Sequence, residues 1–152
     1  MNEVEGFLTA AGWSGAEHRA LAGDASSRAY ERLRLGSERA VLMKDPGGDV
    51  HPFLAIARHL SSHGLSAPRI LAAAPAEGLV LMEDLGDDLI ARLAAEQPEQ
   101  EKALYQAATD VLIALHSLPL PPGLAPYGPA DMALAIGPAA EFYAPAAGVP
   151  VT

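Results

Sequence analysis

Between Arg28 and Leu35 the chain alternates strictly. Arg28, Tyr30, Arg32 and Arg34 fall on one side, and Ala29, Glu31, Leu33 and Leu35 on the other. This is the two-residue period of a β-strand. Glu17 to Leu21 predicts a short strand before it. Arg39 to Lys44, built on the apolar run Ala40-Val41-Leu42-Met43, predicts a third strand after it. The small polar segment Ala22 to Ser27 and the pair Gly36-Ser37 supply the turns. Three strands joined by short turns predict an antiparallel meander. Upstream, Asn2 to Gly12 reads as a short helix, with Phe7, Leu8 and Ala11 on one face and Gly12 as its C-terminal stop. Downstream, Pro46, Gly47 and Gly48 break the pattern. From Pro52 to His63 the period becomes helical, with Phe53, Ile56, Ala57 and Leu60 recurring and Gly64 ending the run. Ile70 to Ala74 and Gly78 to Met82 predict two further strands around a turn at Pro75-Ala76-Glu77. Asp88 to Ala95 predicts a short helix with Asp87 as its cap. Pro98 to His116 predicts the longest helix. Pro98 suits its first turn, Glu99 and Glu101 complement its dipole, and Leu104, Ala108, Val111, Leu112 and Leu115 line one face. The expected fold is α+β: an antiparallel sheet of about five strands with a helix packed across it, followed by helices.

Composition narrows the function classes. Half of the 152 residues are hydrophobic and 19% are charged, so a core can form. There are no cysteines, which removes disulfides, thiolate metal sites and a cysteine nucleophile. Glu3 and Glu5 stand where a secretory leader would carry basic residues. The weakly charged stretch Val111 to Ala130 is interrupted by His116 and by prolines, so it does not read as a membrane span. A cytoplasmic location is expected.

Net charge is −9, and its distribution is uneven. Residues 1–76 carry 8 Lys/Arg and 8 Asp/Glu, whereas residues 77–152 carry 2 and 11. An acidic chain is poorly suited to nucleic acid, whose binding rests on neutralising phosphates. The basic residues gather at Arg19, Arg28, Arg32, Arg34, Arg39 and Lys44, and an anionic ligand is expected among them. From residue 119 onward the chain holds 8 of the 13 prolines and two charged residues, Asp131 and Glu141. Ala130 to Tyr143 predicts a helix within this Pro/Ala-rich connector.

Several chemistries lack their motifs. There is no Gly-x4-Gly-Lys-Ser/Thr loop, no Gly-x-Gly-x-x-Gly and no Gly-x-Ser-x-Gly elbow. His59 and His63 lie four apart on a predicted helix, but no third metal ligand accompanies them. An ordered constellation remains. Small residues Gly23-Asp24-Ala25-Ser26-Ser27 form a loop between two strands, where backbone N–H groups can approach phosphates closely. Val41-Leu42-Met43-Lys44 is an apolar strand ending in a lone cation. Leu79-Val80-Leu81-Met82-Glu83-Asp84-Leu85-Gly86 is a buried strand that turns acidic and ends in glycine.

This order resembles the amino-terminal lobe of the aminoglycoside phosphotransferase-like (choline-kinase-like) kinases. The resemblance rests on Gly-Asp-Ala-Ser-Ser-Arg-Ala-Tyr at 23–30, Ala-Pro-Arg-Ile-Leu at 67–71, Leu-Met-Glu-Asp-Leu-Gly at 81–86 and Ala-Leu-His-Ser-Leu-Pro at 114–119. Within that family the chain looks most like the bacterial N-acetylmuramate/N-acetylglucosamine anomeric sugar kinases. The resemblance implies ATP as cofactor and a small hydroxylated acceptor. It implies that Gly23, Asp24, Ala25, Ser26 and Ser27 form the phosphate loop and that Lys44 holds the α- and β-phosphates. Val41 would cover the adenine and Met82 would guard the back of its pocket. The Glu83 C=O and the Leu85 N–H would read its edge. It further implies residues 1–82 as the small lobe, 83–87 as hinge, 88–118 as the start of the helical lobe and 119–152 as connector.

Two departures qualify what is implied. Kinases pair the strand Lys with a Glu on the following helix, but Pro52 to Gly64 contains no acid, leaving Asp45 or Asp49 as partner. Many similar kinases end this strand in Asp, which aligns with Asp45. The family's acceptor base and Mg²⁺ ligands come from a His-x-Asp-x4-Asn loop and a later Asp, and no His-x-Asp occurs in this sequence. The chain alone is therefore expected to be inactive, with no catalytic and no metal-binding residue of its own and with Mg²⁺ held by the absent segment. The alternative is a non-catalytic nucleotide-binding or dimerisation module derived from a kinase lobe, self-associating through the surface around Leu112, Leu115, Phe142 and Tyr143.

Overall fold

A computed structural model describes residues 3–22, 27–143 and 146–147. The chain forms two compact units, Met1–Pro119 and Leu120–Thr152. In the first, helix α1 (Glu3–Ala10) precedes β1 (Glu17–Ala20), β2 (Ala29–Leu35) and β3 (Glu38–Lys44). Helix α2 (His51–Ser62), β4 (Ile70–Ala74), β5 (Leu79–Glu83), α3 (Ile90–Glu96) and α4 (Glu101–His116) follow. The strands form one antiparallel sheet in the order β1-β2-β3-β5-β4.

The alternation in β2 decides which side chains share a face. Leu33 and its neighbours Ala40, Leu42 and Leu81 pack on Leu8 and Trp13, on the α1 side. Met43, Val80 and Met82 pack on Val50 and Leu54, on the α2 side, joined at the margin by Tyr30, Val41 and Ile70. The sheet thus carries two apolar layers, one per face, and β5 is buried on both. That explains its uninterrupted apolar run, Leu79-Val80-Leu81-Met82. Helix α2 begins at His51, one residue before the expected start. The Asp49 carboxylate accepts from His51 N at 2.9 Å there, while Gly64 leaves the helix at φ +77° as anticipated.

After β5 the structure departs from expectation. α3 starts at Ile90 rather than Asp88, and no side chain caps it. Asp87 does not serve as cap, because Arg32 takes its carboxylate. Pro98 to Gln100 forms a tight 3-10 turn, and α4 proper begins at Glu101. No residue of α3 or α4 is buried. In the second unit, α5 (Pro129–Pro138) is opened by the Asp131 carboxylate accepting from Gly128 N at 2.8 Å, and it widens into a π turn at Ala139–Tyr143. No helix among the described residues is long and apolar enough to cross a membrane.

Candidate functional site

The α2 face of the sheet and the segment leaving β5 form the candidate site. Val41 and Met82 are cross-strand partners, so the strand register places them side by side on that face. Met82 is 5% exposed and closes the back of the surface. At Glu83 the chain leaves the sheet. Its N–H donates to Arg69 O at 2.9 Å, and its carboxylate accepts from Arg69 N at 3.2 Å. Leu85 is exposed, and Gly86 turns the chain at φ +82° with its N–H on the Asp84 carboxylate at 3.0 Å.

Arg32 fixes this segment to the sheet. It sits beside Val41 on the same face. Its Nη2 donates to Asp84 Oδ1 at 3.1 Å and to Asp87 Oδ1 at 2.9 Å, and its Nη1 donates to Asp87 Oδ2 at 2.9 Å. Arg32 Nε approaches Asp84 Oδ2 to 2.7 Å. The angle there is too poor for a directed hydrogen bond, so this contact is an ion pair. The guanidinium holds the Asp87 carboxyl below the usual carboxylate range, and the two acids hold Arg32 firmly protonated. Arg32 also lines an open groove of about 740 Å³ with Arg19, Arg34 and Arg39. The cations grouped by the sequence therefore separate. Arg28, Arg32 and Lys44 each face a carboxylate, and Arg19, Arg34 and Arg39 face the groove.

Lys44 lies elsewhere. Two residues beyond Leu42, it belongs to the α1 face, opposite Val41 and Met82. Its ammonium pairs with Glu31, which also bonds His18 Nδ1 at 2.8 Å. Neither acid suggested by the sequence serves as partner. Asp49 bonds the His51 ring at 2.7 Å, and Asp45 accepts from Arg28 Nε at 3.0 Å. The reason is register. Lys44 stands opposite Ala29, which makes Glu31 its diagonal neighbour, within reach of a long side chain.

The Lys44 hydrogen bond, opposed by burial and aided by His18, holds the Glu31 carboxyl below its ordinary value of 4.5. A carboxyl depressed in the folded state stabilises fully above its unfolded value and loses that contribution as pH falls through the folded one. Unfolding followed from about pH 6 to pH 3 should therefore show the wild type losing roughly 1 kcal/mol that Glu31→Gln never had. Parallel curves for the two proteins would remove the pair from the stability account.

Of the expected phosphate loop, Gly23, Asp24, Ala25 and Ser26 lie outside the described residues, and Ser27 is the first residue after them. The hairpin below is closed by Leu21 N donating to Tyr30 O at 2.9 Å. From the sequence, Arg28 and Arg32 belong only to the cation cluster expected to hold an anion, Asp45 is only a possible partner of Lys44, and Asp84 has no assigned role. The visible signal was the arginine stripe on one side of β2, but each partner depends on contacts the stripe does not encode.

Comparison with known proteins fits this architecture. Residues 17–143 match the family described as APH, phosphotransferase enzyme family. The chain belongs to this phosphotransferase family. Two relatives bear the name N-acetylmuramate/N-acetylglucosamine kinase. The one from Caulobacter vibrioides is 40% identical over 144 aligned positions, covering 76% of this chain and 39% of that protein. The one from Pseudomonas aeruginosa is 33% identical over 118 positions, covering 74% of this chain and 34% of that protein. The chain thus spans between one third and two fifths of the length of these relatives. For a phosphotransferase-family chain, the strand order and the helix between β3 and β4 are those of a kinase-like small lobe.

Proposed function

We propose that this chain is the nucleotide-binding lobe of an ATP-dependent small-molecule kinase whose acceptor is an amino sugar. The observation that carries the reading is the α2 face: Val41 and Met82 paired across strands beside a clamped segment that leaves the sheet at Glu83. In this reading residues 1–82 form the lobe, 83–87 the hinge, 88–118 the first helices of the second lobe and 119–152 a connector. Adenine lies under Val41 and against Met82, with its edge toward the Glu83 C=O and the Leu85 N–H, and the phosphates run toward the 23–27 loop. Among the described residues no three His, Asp or Glu side chains gather to hold a metal. The hinge acids Asp84 and Asp87 are committed to Arg32. Mg²⁺ would come with the nucleotide and be held by residues other than these. The names of the two relatives support an amino sugar as the acceptor.

Titration calorimetry of the chain with ATP·Mg²⁺ and with adenosine tests the reading. Weak binding of both is expected, without phosphate transfer to N-acetylglucosamine, because no His-x-Asp base is in the sequence. Absence of any adenosine or ATP binding would sink the nucleotide-lobe assignment, and transfer to the sugar would sink the inactivity. A second reading, a module that pairs through α4, draws on the exposure of Val111, Leu112 and Ile113, each more than half open at 52%, 56% and 61%. Sedimentation showing a dimer that forms independently of nucleotide would favour it.

A further inference from the structure

Asp45 is a carboxylate with very little room. It is 5% exposed, with its side chain as enclosed as that of Asp84. Its backbone is held on both sides: the N–H donates to Gly78 O at 2.9 Å, and the carbonyl accepts from Gly48 N at 3.0 Å. Two glycines make the space. A Cβ on Gly48 would stand 2.3 Å from the Asp45 carboxylate carbon, and one on Gly78 would stand 2.2 Å from the Asp45 carbonyl oxygen. Burying a carboxylate costs several kcal/mol unless it is paired. Its partner is the Nε of Arg28 at 3.0 Å, and Arg28 keeps one third of its side chain exposed, 33% against 6% for Asp45. The pair is therefore asymmetric, with a rigid, enclosed anion holding a cation that reaches the surface.

The position of the cation matters. Arg28 is the residue immediately before β2, at the end of the sheet where β1 and β2 are joined and where β3 finishes. Asp45, and to a lesser degree Tyr30, hold the Arg28 guanidinium protonated, and Tyr30 packs on the side of the sheet that carries Val41 and Met82. Lys44 ends β3 at the same level but points to the opposite face, with Glu31 on it.

We propose that Arg28, oriented by the buried carboxylate of Asp45, is the cation that contacts the phosphates of a bound nucleoside di- or triphosphate in this chain. The proposal rests on the nucleotide-lobe reading above. In it, Arg28 and Asp45 do the work that a strand Lys and a helix Glu do in protein kinases, and this accounts for the absence of any acid from α2. A planar guanidinium suits the task, since it can bind its orienting carboxylate through one edge and phosphate oxygens through another.

Calorimetric titration of the 152-residue chain with ATP and with adenosine tests it, using Arg28→Ala, Arg28→Lys and Lys44→Met. Arg28→Ala should weaken ATP about tenfold or more, the size of a lost charge-assisted hydrogen bond, and leave adenosine unchanged. Arg28→Lys keeps the charge against Asp45 and so protects the fold. It should weaken ATP by a smaller factor, again without touching adenosine. Lys44→Met should move ATP affinity by less than about twofold, as expected for a cation facing away from the ligand. The proposal is overturned if Lys44→Met carries the loss, if both Arg28 variants keep full ATP affinity, or if they lose ATP and adenosine alike, which marks a structural pair. Wild-type chain that binds adenosine and ATP equally also overturns it while leaving the lobe reading standing. Wild-type chain that binds neither overturns both.

Discussion

Gly78→Ala is expected to lower the stability of the sheet unit by about 3 kcal/mol or more, read as a fall in the urea midpoint at unchanged slope. Two independent costs add at this position. Gly78 closes the 3-10 turn Pro75–Glu77 at φ +66° and ψ +28°, the left-handed region, where a Cβ alone costs about 1–2 kcal/mol. The Cβ would then also meet the Asp45 carbonyl oxygen at 2.2 Å and the carbonyl carbon at 2.9 Å. No rotamer relieves a clash between two backbones, so either the β4–β5 turn or the end of β3 must move. Moving either breaks the Asp45 N–H to Gly78 O bond. Gly64→Ala supplies the control. Gly64 has φ +77° and nothing within 4 Å of an added methyl, so only the conformational cost of about 1 kcal/mol applies. Equal losses in the two variants would show that the close approach to Asp45 is relieved at no cost.

Arg32→Met should cost about 3 kcal/mol, the usual result of leaving a buried charge without its partner. Asp84 is the reason. Its side chain is 5% exposed, whereas Asp87, the other acid on the guanidinium, is 57% exposed. Removing Arg32 leaves Asp87 to water but leaves Asp84 enclosed and charged. Asp87→Asn should therefore sit close to wild type. Arg32→Met combined with Asp84→Asn should recover much of the loss, because the amide oxygen still accepts from Gly86 N and no charge remains buried. Urea titrations of the single and double variants measure the recovery. A double variant no more stable than Arg32→Met would assign the loss to packing of the arginine stem.

Much of the fold was legible because the strand signals were local. The alternation in β2, the turn at Gly36-Ser37 and the apolar end of β3 together dictate the β2–β3 register, and that register alone places Glu31 diagonal to Lys44. The Lys44–Glu31 pairing is thus legible from the hairpin alone, without any acid on the following helix. The Arg32–Asp84 clamp is different. Its partners are 52 residues apart. They meet only because β3 pairs with both β2 and β5, so that Arg32, Val41 and Met82 line up across three strands. That non-local pairing has no local signature. The burial of Asp45 was hidden for a similar reason. A charged residue after an apolar strand reads as the first position of a solvated turn, and the close approach of Gly48 from that turn and Gly78 from the next hairpin encloses it. The cap assigned to Asp87 failed because a guanidinium from the sheet outcompeted the backbone N–H groups of the helix for the same carboxylate.

The two apolar layers have a consequence for synthesis. Every buried residue among those described lies between Leu8 and Met82. Within that span β1, β2 and β3 are consecutive hairpins, β4 and β5 are another, and β3 against β5 is the one pairing that skips a strand. Contacts this local close quickly, and chains emerge from the ribosome N-terminal end first at roughly 5–20 residues per second. The sheet can therefore finish folding once β5 is clear of the ribosome, before α4 has emerged. Helices α3 and α4 contribute no buried residue, so substitutions within Ile90–Glu96 or Glu101–His116 are expected to leave the packing of this core intact.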